Sequence, residues 1–525
     1  MDDAAVSSSP AGPGRLLSLD AYRGFAMFLM AAELLRLPET AEHFPGSQVW
    51  QVLGRHWEHV EWTGCTLHDL IQPSFSFMVG VALPFSLAGR RVQGASRGRL
   101  WAHACVRGLI LVLLGVFLRS IGSERTNWTF EDTLSQIGLG YPILFALGMA
   151  RWRTVWISLG TILAGYWALF ALWPLPGPGF DYQLYGVPEN WGHHFSGFAA
   201  HWNINSNAAW AFDRWFMNLF PRSEPFMGNG GGYSTLSFIP TLGTMILGLC
   251  AGRWILSGGR PAAARLATVG GSLVVPEVNG PMGEADASFA AAAKVDGADR
   301  SERSDRTNWT DRTDRTSVAA DAPLVREYEL AGTGGEEELV FRKEAAVDPA
   351  VFSCALEVPE NSGVKSGGMR RGAPMVDGPG LARGGSWKVF GILVLAGVVS
   401  LGLGYGWDVS GWGPSVKKIW TPSWTLFSGG WCFLLMAGFY LVADLGGIRR
   451  PLFPLVVIGM NSIAMYVLVH TVAEFFETAL VTHFGQGPFA VLGPELAPML
   501  RGAAVLLILW GILRWMYGRR LFLRV

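Results

Sequence analysis

The densest group of reactive side chains lies at residues 55–70, which read Arg-His-Trp-Glu-His-Val-Glu-Trp-Thr-Gly-Cys-Thr-Leu-His-Asp-Leu. Three imidazoles (His56, His59, His68) and three carboxylates (Glu58, Glu61, Asp69) fall within 14 residues. Imidazole titrates near neutrality and serves as base, nucleophile or metal ligand. An Asp beside a His orients the ring and stabilises its cationic form, the logic of triad-type sites. Zinc is the rival reading, because His56 and His59 at i, i+3 can share a helical face with Glu58 or Glu61 nearby. No third and fourth ligand follow at a matching spacing, so no metal centre is expected.

Other polar groups stand out by position. Asp20 and Arg23 lie three apart at the start of the first apolar block, on one face of a helix. They read either as a structural ion pair or, with Arg23 reaching outward, as a contact for the phosphates of a cytosolic ligand such as coenzyme A. Glu33, deeper in the same block, is expected to face the bundle interior, and Asp69 to sit inside the outer end of the next block. Ionisable residues in such places are costly and point to function. Asn461 is a polar group within the ninth block, read as helix–helix glue or cavity lining. The glycine run Gly228–Thr235 allows close backbone approach but fits no nucleotide-binding pattern.

The elements that must position these groups are membrane helices. Half of the 525 residues are hydrophobic and 16% are charged, and the mean hydropathy is +0.29. A soluble chain of this size needs a larger charged surface. Apolar blocks of roughly 20 residues, the length that spans a bilayer core, occur at 19–37, 68–88, 100–120, 133–150, 153–173, 235–257, 387–408, 424–443, 453–471 and 499–517. The fold class expected is all-α, a polytopic membrane bundle of about ten transmembrane helices. Many of the 23 Trp lie near block ends, where indole favours the interface. The net charge of zero gives no footprint for nucleic acid. The five cysteines form no CxxC motif and no disulfide framework is expected. Met1–Pro13 is polar, and the first apolar block reads as a retained helix rather than a cleaved signal.

Arginines gather in the loops after the second, fourth and eighth blocks and in the C-terminal tail. With ten spans they share one side, which places both termini in the cytoplasm. Lys417 and Lys418 are the exception on the outer side. Three regions result: a first membrane half, 1–257, with outer loops 38–67 and 174–234; an insert, 258–386; and a second half, 387–525. The two outer loops, rich in Trp, His, Gly and Pro, suit ordered covers over a cavity. The insert is rich in Ala, Gly, Asp, Glu and Arg, with a short reiterated tract at 305–316, and reads as largely disordered and cytoplasmic. Within it, Arg326–Phe341 has the pattern of a short strand or helix. Of the ten histidines, only His103 falls toward the cytoplasmic side, which again points to a site on the outer face.

The ordered set of short motifs resembles one family. Ser18-Leu19-Asp20-Ala21-Tyr22-Arg23-Gly24, His59-Val60-Glu61-Trp62-Thr63-Gly64, Leu67-His68-Asp69-Leu70-Ile71-Gln72-Pro73 and Phe77-Met78-Val79-Gly80 are similar to segments of the heparan-alpha-glucosaminide N-acetyltransferase family. The likeness continues through Tyr233-Ser234-Thr235-Leu236-Ser237, Trp420-Thr421-Pro422-Ser423-Trp424, Ser428-Gly429-Gly430-Trp431 and Gly459-Met460-Asn461-Ser462. It covers nearly all the chain except the insert and much of the long outer loop. The family transfers an acetyl group from cytosolic acetyl-CoA to a glucosamine amine across the membrane. The resemblance implies His59 as the reactive imidazole and Asp69 as its partner. It also implies acetyl-CoA as co-substrate. Two departures stand in this sequence: Thr63 where the family has Asn, and Glu33-Leu34 where an active-site Asn is expected.

The reading that follows is a transmembrane acyltransferase of the bacterial inner membrane. His59 and Asp69 are its catalytic residues, and Asp20 and Arg23 hold the acyl-CoA. Glu33, Glu61, Trp62, His68 and Asn461 face the acceptor or cavity, and the acceptor is a sugar or glycan amine or hydroxyl. The alternative is a proton-coupled transporter or flippase using Glu33 and Asp69, weakened by the lack of an inverted repeat. Oligomeric state stays open, with a homodimer one option.

Overall fold

The structure is a computed structural model that describes residues 16–92, 96–258, 267–269, 272–274 and 386–523. It is an integral membrane bundle. Helices α1 (Leu17–Ala31), α2 (Leu37–Glu42), α3 (Gln48–His56), α4 (Ile71–Val92), α5 (Arg97–Ser120), α6 (Thr133–Met149) and α7 (Trp152–Ala171) come first. They are followed by α8 (Ala208–Phe216), α9 (Phe238–Gly258), α10 (Trp387–Val409), α11 (Pro422–Tyr440), α12 (Phe453–Met460), α13 (Ser462–Phe484) and α14 (Ala497–Gly518). Among the described residues, eight helical segments are long and apolar enough to cross a membrane. Of the ten spans expected, the first and the fourth are shorter: α1 has 15 residues before a 3-10 turn, and α6 has 17.

Contacts divide the chain into two units, 1–265 with 353–525, and 266–352. Of the second unit the described residues form an antiparallel pair of strands, β1 (Ala267–Val269) and β2 (Ser272–Val274). The expectations of disorder across 258–386, and of a short element at Arg326–Phe341, otherwise lie outside the described residues.

Helices α4 and α9 form the centre of the first unit, while α5, α7, α10, α13 and α14 turn mostly apolar outer faces outward. In lipid, packing replaces the hydrophobic effect as the force between helices, and small residues let backbones approach. Gly80 and Gly248 serve α4 and α9 this way: a Cβ at either would collide with the carbonyl of Met245 or Phe77. The same device joins α1 to α12, where a Cβ at Gly24 would strike the Leu455 carbonyl and one at Gly459 the Asp20 carbonyl. Backbone cannot yield as a side-chain tip does. Gly24→Ala is therefore expected to destabilise the bundle by about 1–3 kcal/mol, read as a lower thermal midpoint in detergent. Gly402→Ala, at a site with open space, should leave it unchanged.

The ninth expected span, 453–471, is corrected. The helix stops at Asn461, whose φ of −126° and ψ of 41° are not helical, and restarts as α13, which runs on to Phe484. The Asn461 side chain is the cause. Its Nδ2 donates to the Leu521 carbonyl at 3.0 Å and its Oδ1 accepts from the Leu523 amide at 3.1 Å. Both bonds anchor the chain after α14, and neither was visible in the hydropathy of the segment.

Segments 38–67 and 174–234 are built of short helices and turns around a shared core. Trp62 and Trp202, with Ile204, Val416 and Ile419, form an apolar core shared by three loops. An isolated β-bridge ties Thr63 to Val416, so the loop before α4 and the loop before α11 meet edge to edge.

Candidate active site

Two loops bring the reactive groups together. In the first, Thr66 precedes a 3-10 turn, His68–Leu70, that feeds into α4. Thr66 donates its backbone N–H to Asp69 Oδ2 at 3.0 Å, its hydroxyl proton is shared between the Glu58 carbonyl at 2.7 Å and Asp69 Oδ2 at 3.0 Å, and Val60 N–H adds a longer bond at 3.4 Å. These donors fix the carboxylate before any partner is considered. Asp69 is fully buried, and a buried charge persists only when it is paired and hydrogen-bonded.

In the second loop, Val416–Thr421 folds into a tight turn. Trp420 N–H reaches the Lys417 carbonyl and Thr421 N–H the Val416 carbonyl. Trp420 takes a left-handed backbone with φ of 48°, which costs energy for a bulky residue and persists where its surroundings enforce it. Its indole donates to the Thr244 hydroxyl at 3.2 Å, and Thr421 caps the start of α11. The turn drives the buried Lys417 side chain inward, with Nζ 3.0 Å from Asp69 Oδ1.

His59 completes the group. Its Nδ1 is 2.8 Å from Asp69 Oδ1 and 2.9 Å from Lys417 Nζ. With the proton on Nδ1 the ring donates to Asp69 and Nε2 is a free base; with the proton on Nε2, Nδ1 accepts from Lys417. The side chain is 42% exposed, so an imidazole edge is open while its carboxylate is not. Burial lowers the pKa of His59 below the ordinary imidazole value, and the charges of Lys417 and His68 lower it further, against the opposing bond and charge of Asp69. The ring is thereby kept neutral at physiological pH, the form a base or nucleophile needs. Burial also lowers the pKa of Lys417, against the pull of Asp69. Cys65, in the same loop, is pushed up to about 12 by burial and by Asp69, which leaves its thiol protonated.

Other expected residues fall into place unequally. His68 packs its ring on His59, centroids 4.4 Å apart, and its Nε2 is 2.8 Å from Glu33 Oε1. Glu33 thus joins the group from the turn after α1, with its side chain 56% exposed rather than enclosed. Glu61 pairs with His193 Nε2 at 2.8 Å on the exposed rim. Trp62 is fully buried, edge-on to Trp191, and so packs the core shared by the loops rather than offering a face to a ligand. Asp20 and Arg23 approach to 3.8 Å at the opposite end of α1. The 13 residues from Asp20 to Glu33 span about 20 Å at a helical rise. Asn461, which follows Gly459 against Asp20, belongs to that far end, where its side chain bonds Leu521 and Leu523. Among the described residues no cluster of His, Cys, Asp or Glu is arranged to hold a metal ion.

Lys417 was not expected here. Its one signal in the sequence was its place among the few basic residues, with Lys418, that the loop-charge pattern left as exceptions.

No protein-family model matches the chain. It is 28% identical over 106 residues, 20% of its own length and 14% of the relative's, to heparan-alpha-glucosaminide N-acetyltransferase from Homo sapiens. It is 22% identical over 190 residues, 31% of its length and 27% of the relative's, to heparan-alpha-glucosaminide N-acetyltransferase from Mus musculus. The chain thus matches less than a third of the length of these curated relatives. The resemblance read from the motifs is met by these two relatives, at low identity and over part of each chain.

Proposed function

We propose that the chain is a transmembrane acyltransferase. In this reading an acetyl or other acyl group passes from cytosolic acyl-CoA to an amine or hydroxyl of a sugar or glycan held at the His59 end. The observation that carries it is the closed group His59–Asp69–Lys417, whose three contacts lie between 2.8 and 3.0 Å. Asp69 holds the ring and offsets the charge of an imidazolium, and Lys417 keeps the resting ring neutral. As base, His59 Nε2 takes the acceptor's proton as the acceptor attacks the thioester carbonyl, the C–S bond breaks, and the proton passes to the departing thiolate. As nucleophile, Nε2 first takes the acyl group as an acyl-imidazole and passes it on. The far-end pair Asp20 and Arg23 is where we place the CoA, with its acyl end reaching through the bundle. Both termini then lie in the cytoplasm, and the membrane is the bacterial inner membrane. The names of the two relatives support the reaction class, and the transporter reading loses ground because Glu33 and Asp69 meet at one end instead of marking a path.

The test is turnover by purified protein in lipid nanodiscs with radiolabelled acetyl-CoA and glucosamine, reading free thiol and labelled sugar together. Thiol released in step with acetylated sugar is the expected result. Absence of both, with no binding of CoA, contradicts the reading.

A further inference from the structure

We propose that Glu33 and His68 form a second acid–base pair of the same site, one that strips the first proton from an acceptor presented as an ammonium. This rests on the acyltransferase reading above. Two imidazoles meet here, each with its own carboxylate: His59 on Asp69 and His68 on Glu33, with the rings 4.4 Å apart. The two pairs differ in a telling way. Asp69 is sealed and shared with Lys417, whereas the Glu33 carboxylate is open on one side and, among the described residues, hydrogen-bonds His68 alone, through Oε1. Among the described residues no hydrogen bond engages His68 Nδ1. The charged and titratable groups facing this pair are His59 with Asp69 and Lys417 behind it, and His470 and Tyr466 on α13.

The proton count of the reaction requires such a pair for an amine. An ammonium must lose two protons on becoming an amide nitrogen, and the thiolate consumes one. With His59 acting as base, His68 Nδ1 takes the first proton, and the amine lone pair attacks the acyl carbonyl. The C–S bond breaks, and the second N–H proton passes through His59 Nε2 to the thiolate sulfur. The first proton leaves from His68 by way of the open Glu33 carboxylate to water. His68 is then a catalytic residue and Glu33 a positioning residue that holds the His68 ring and carries the proton out. An acceptor that arrives neutral needs only His59.

The experiment compares two acceptors in nanodiscs with acetyl-CoA at neutral pH: glucosamine, largely an ammonium, and an aniline, a neutral amine. The variants are His68→Gln and Glu33→Asn, the latter placing the residue that the family resemblance expects. Transfer to glucosamine is expected to fall in His68→Gln toward the share of the sugar that is present as free amine, and to fall further as the pH is lowered, with transfer to the aniline falling far less. The glucosamine rate of both variants should climb with pH as the free amine accumulates. Equal losses on both acceptors assign the pair a structural role and overturn the proposal, as does undiminished glucosamine transfer. A wild-type protein that acetylates neither acceptor refutes the acyltransferase reading itself, and this inference falls with it.

Discussion

Replacing His59 by alanine is expected to lower acyl transfer by about 10²–10⁴-fold, the usual contribution of a positioned acid–base or nucleophilic imidazole. The fold should survive. The His59 side chain is partly exposed, and its removal leaves Asp69 paired with Lys417 at 3.0 Å and held by the two Thr66 donors. No buried charge is orphaned, so the thermal midpoint in detergent should stay close to that of the unaltered protein. Activity and stability thus separate: transfer retained in His59→Ala removes His59 from the chemistry, whereas a large fall in midpoint would make any loss uninformative about mechanism and show that the ring is structural.

Lys417→Met is the second large effect, and it acts on pH as well as on stability. The active form of His59 is the neutral ring, so kcat/KM rises with pH through the His59 pKa. That pKa lies below the ordinary imidazole value, first through burial and then through the charge of Lys417. Removing the lysine charge raises it, and also frees Asp69 to favour the imidazolium, so the acid limb of kcat/KM should move to higher pH. Asp69→Asn removes the opposing negative charge and should move the limb to lower pH, with a loss of rate from the unheld ring. Both changes break a buried pair, which typically costs about 3–5 kcal/mol, and both should lower the thermal midpoint. A limb that shifts the same way in both variants, or in neither, contradicts the assigned electrostatics.

Much of this was legible in the sequence, and the reasons are physical. Membrane helices announce themselves by composition over twenty residues, so nine of the ten expected spans lie within a few residues of the helices observed. The break at Asn461 escaped because it is made by two side-chain bonds to the chain after α14, a partner some 60 residues away. His59, Asp69 and His68 were legible as a cluster because they are close in sequence and the motif resemblance singled out two of them. Lys417 was not, since it lies 358 residues from His59 and reaches it only through the strained turn at Trp420. Trp62 misled for the opposite reason. Trp62 was read as facing the acceptor or cavity, but its ring is buried in the core that joins the loops around His59. Glu33 was expected deep in the bundle; the 3-10 turn that ends α1 instead turns it outward toward His68.

The most direct measurement is an experimental structure of the protein in lipid with a non-hydrolysable acetyl-CoA analogue. The nucleotide phosphates are expected near Arg23 and the acyl carbonyl carbon within roughly 3–3.5 Å of His59 Nε2, the reach of a near-attack geometry. An analogue bound with its carbonyl away from His59, or on the face of the bundle that carries His59 instead of the face that carries Arg23, would contradict this placement.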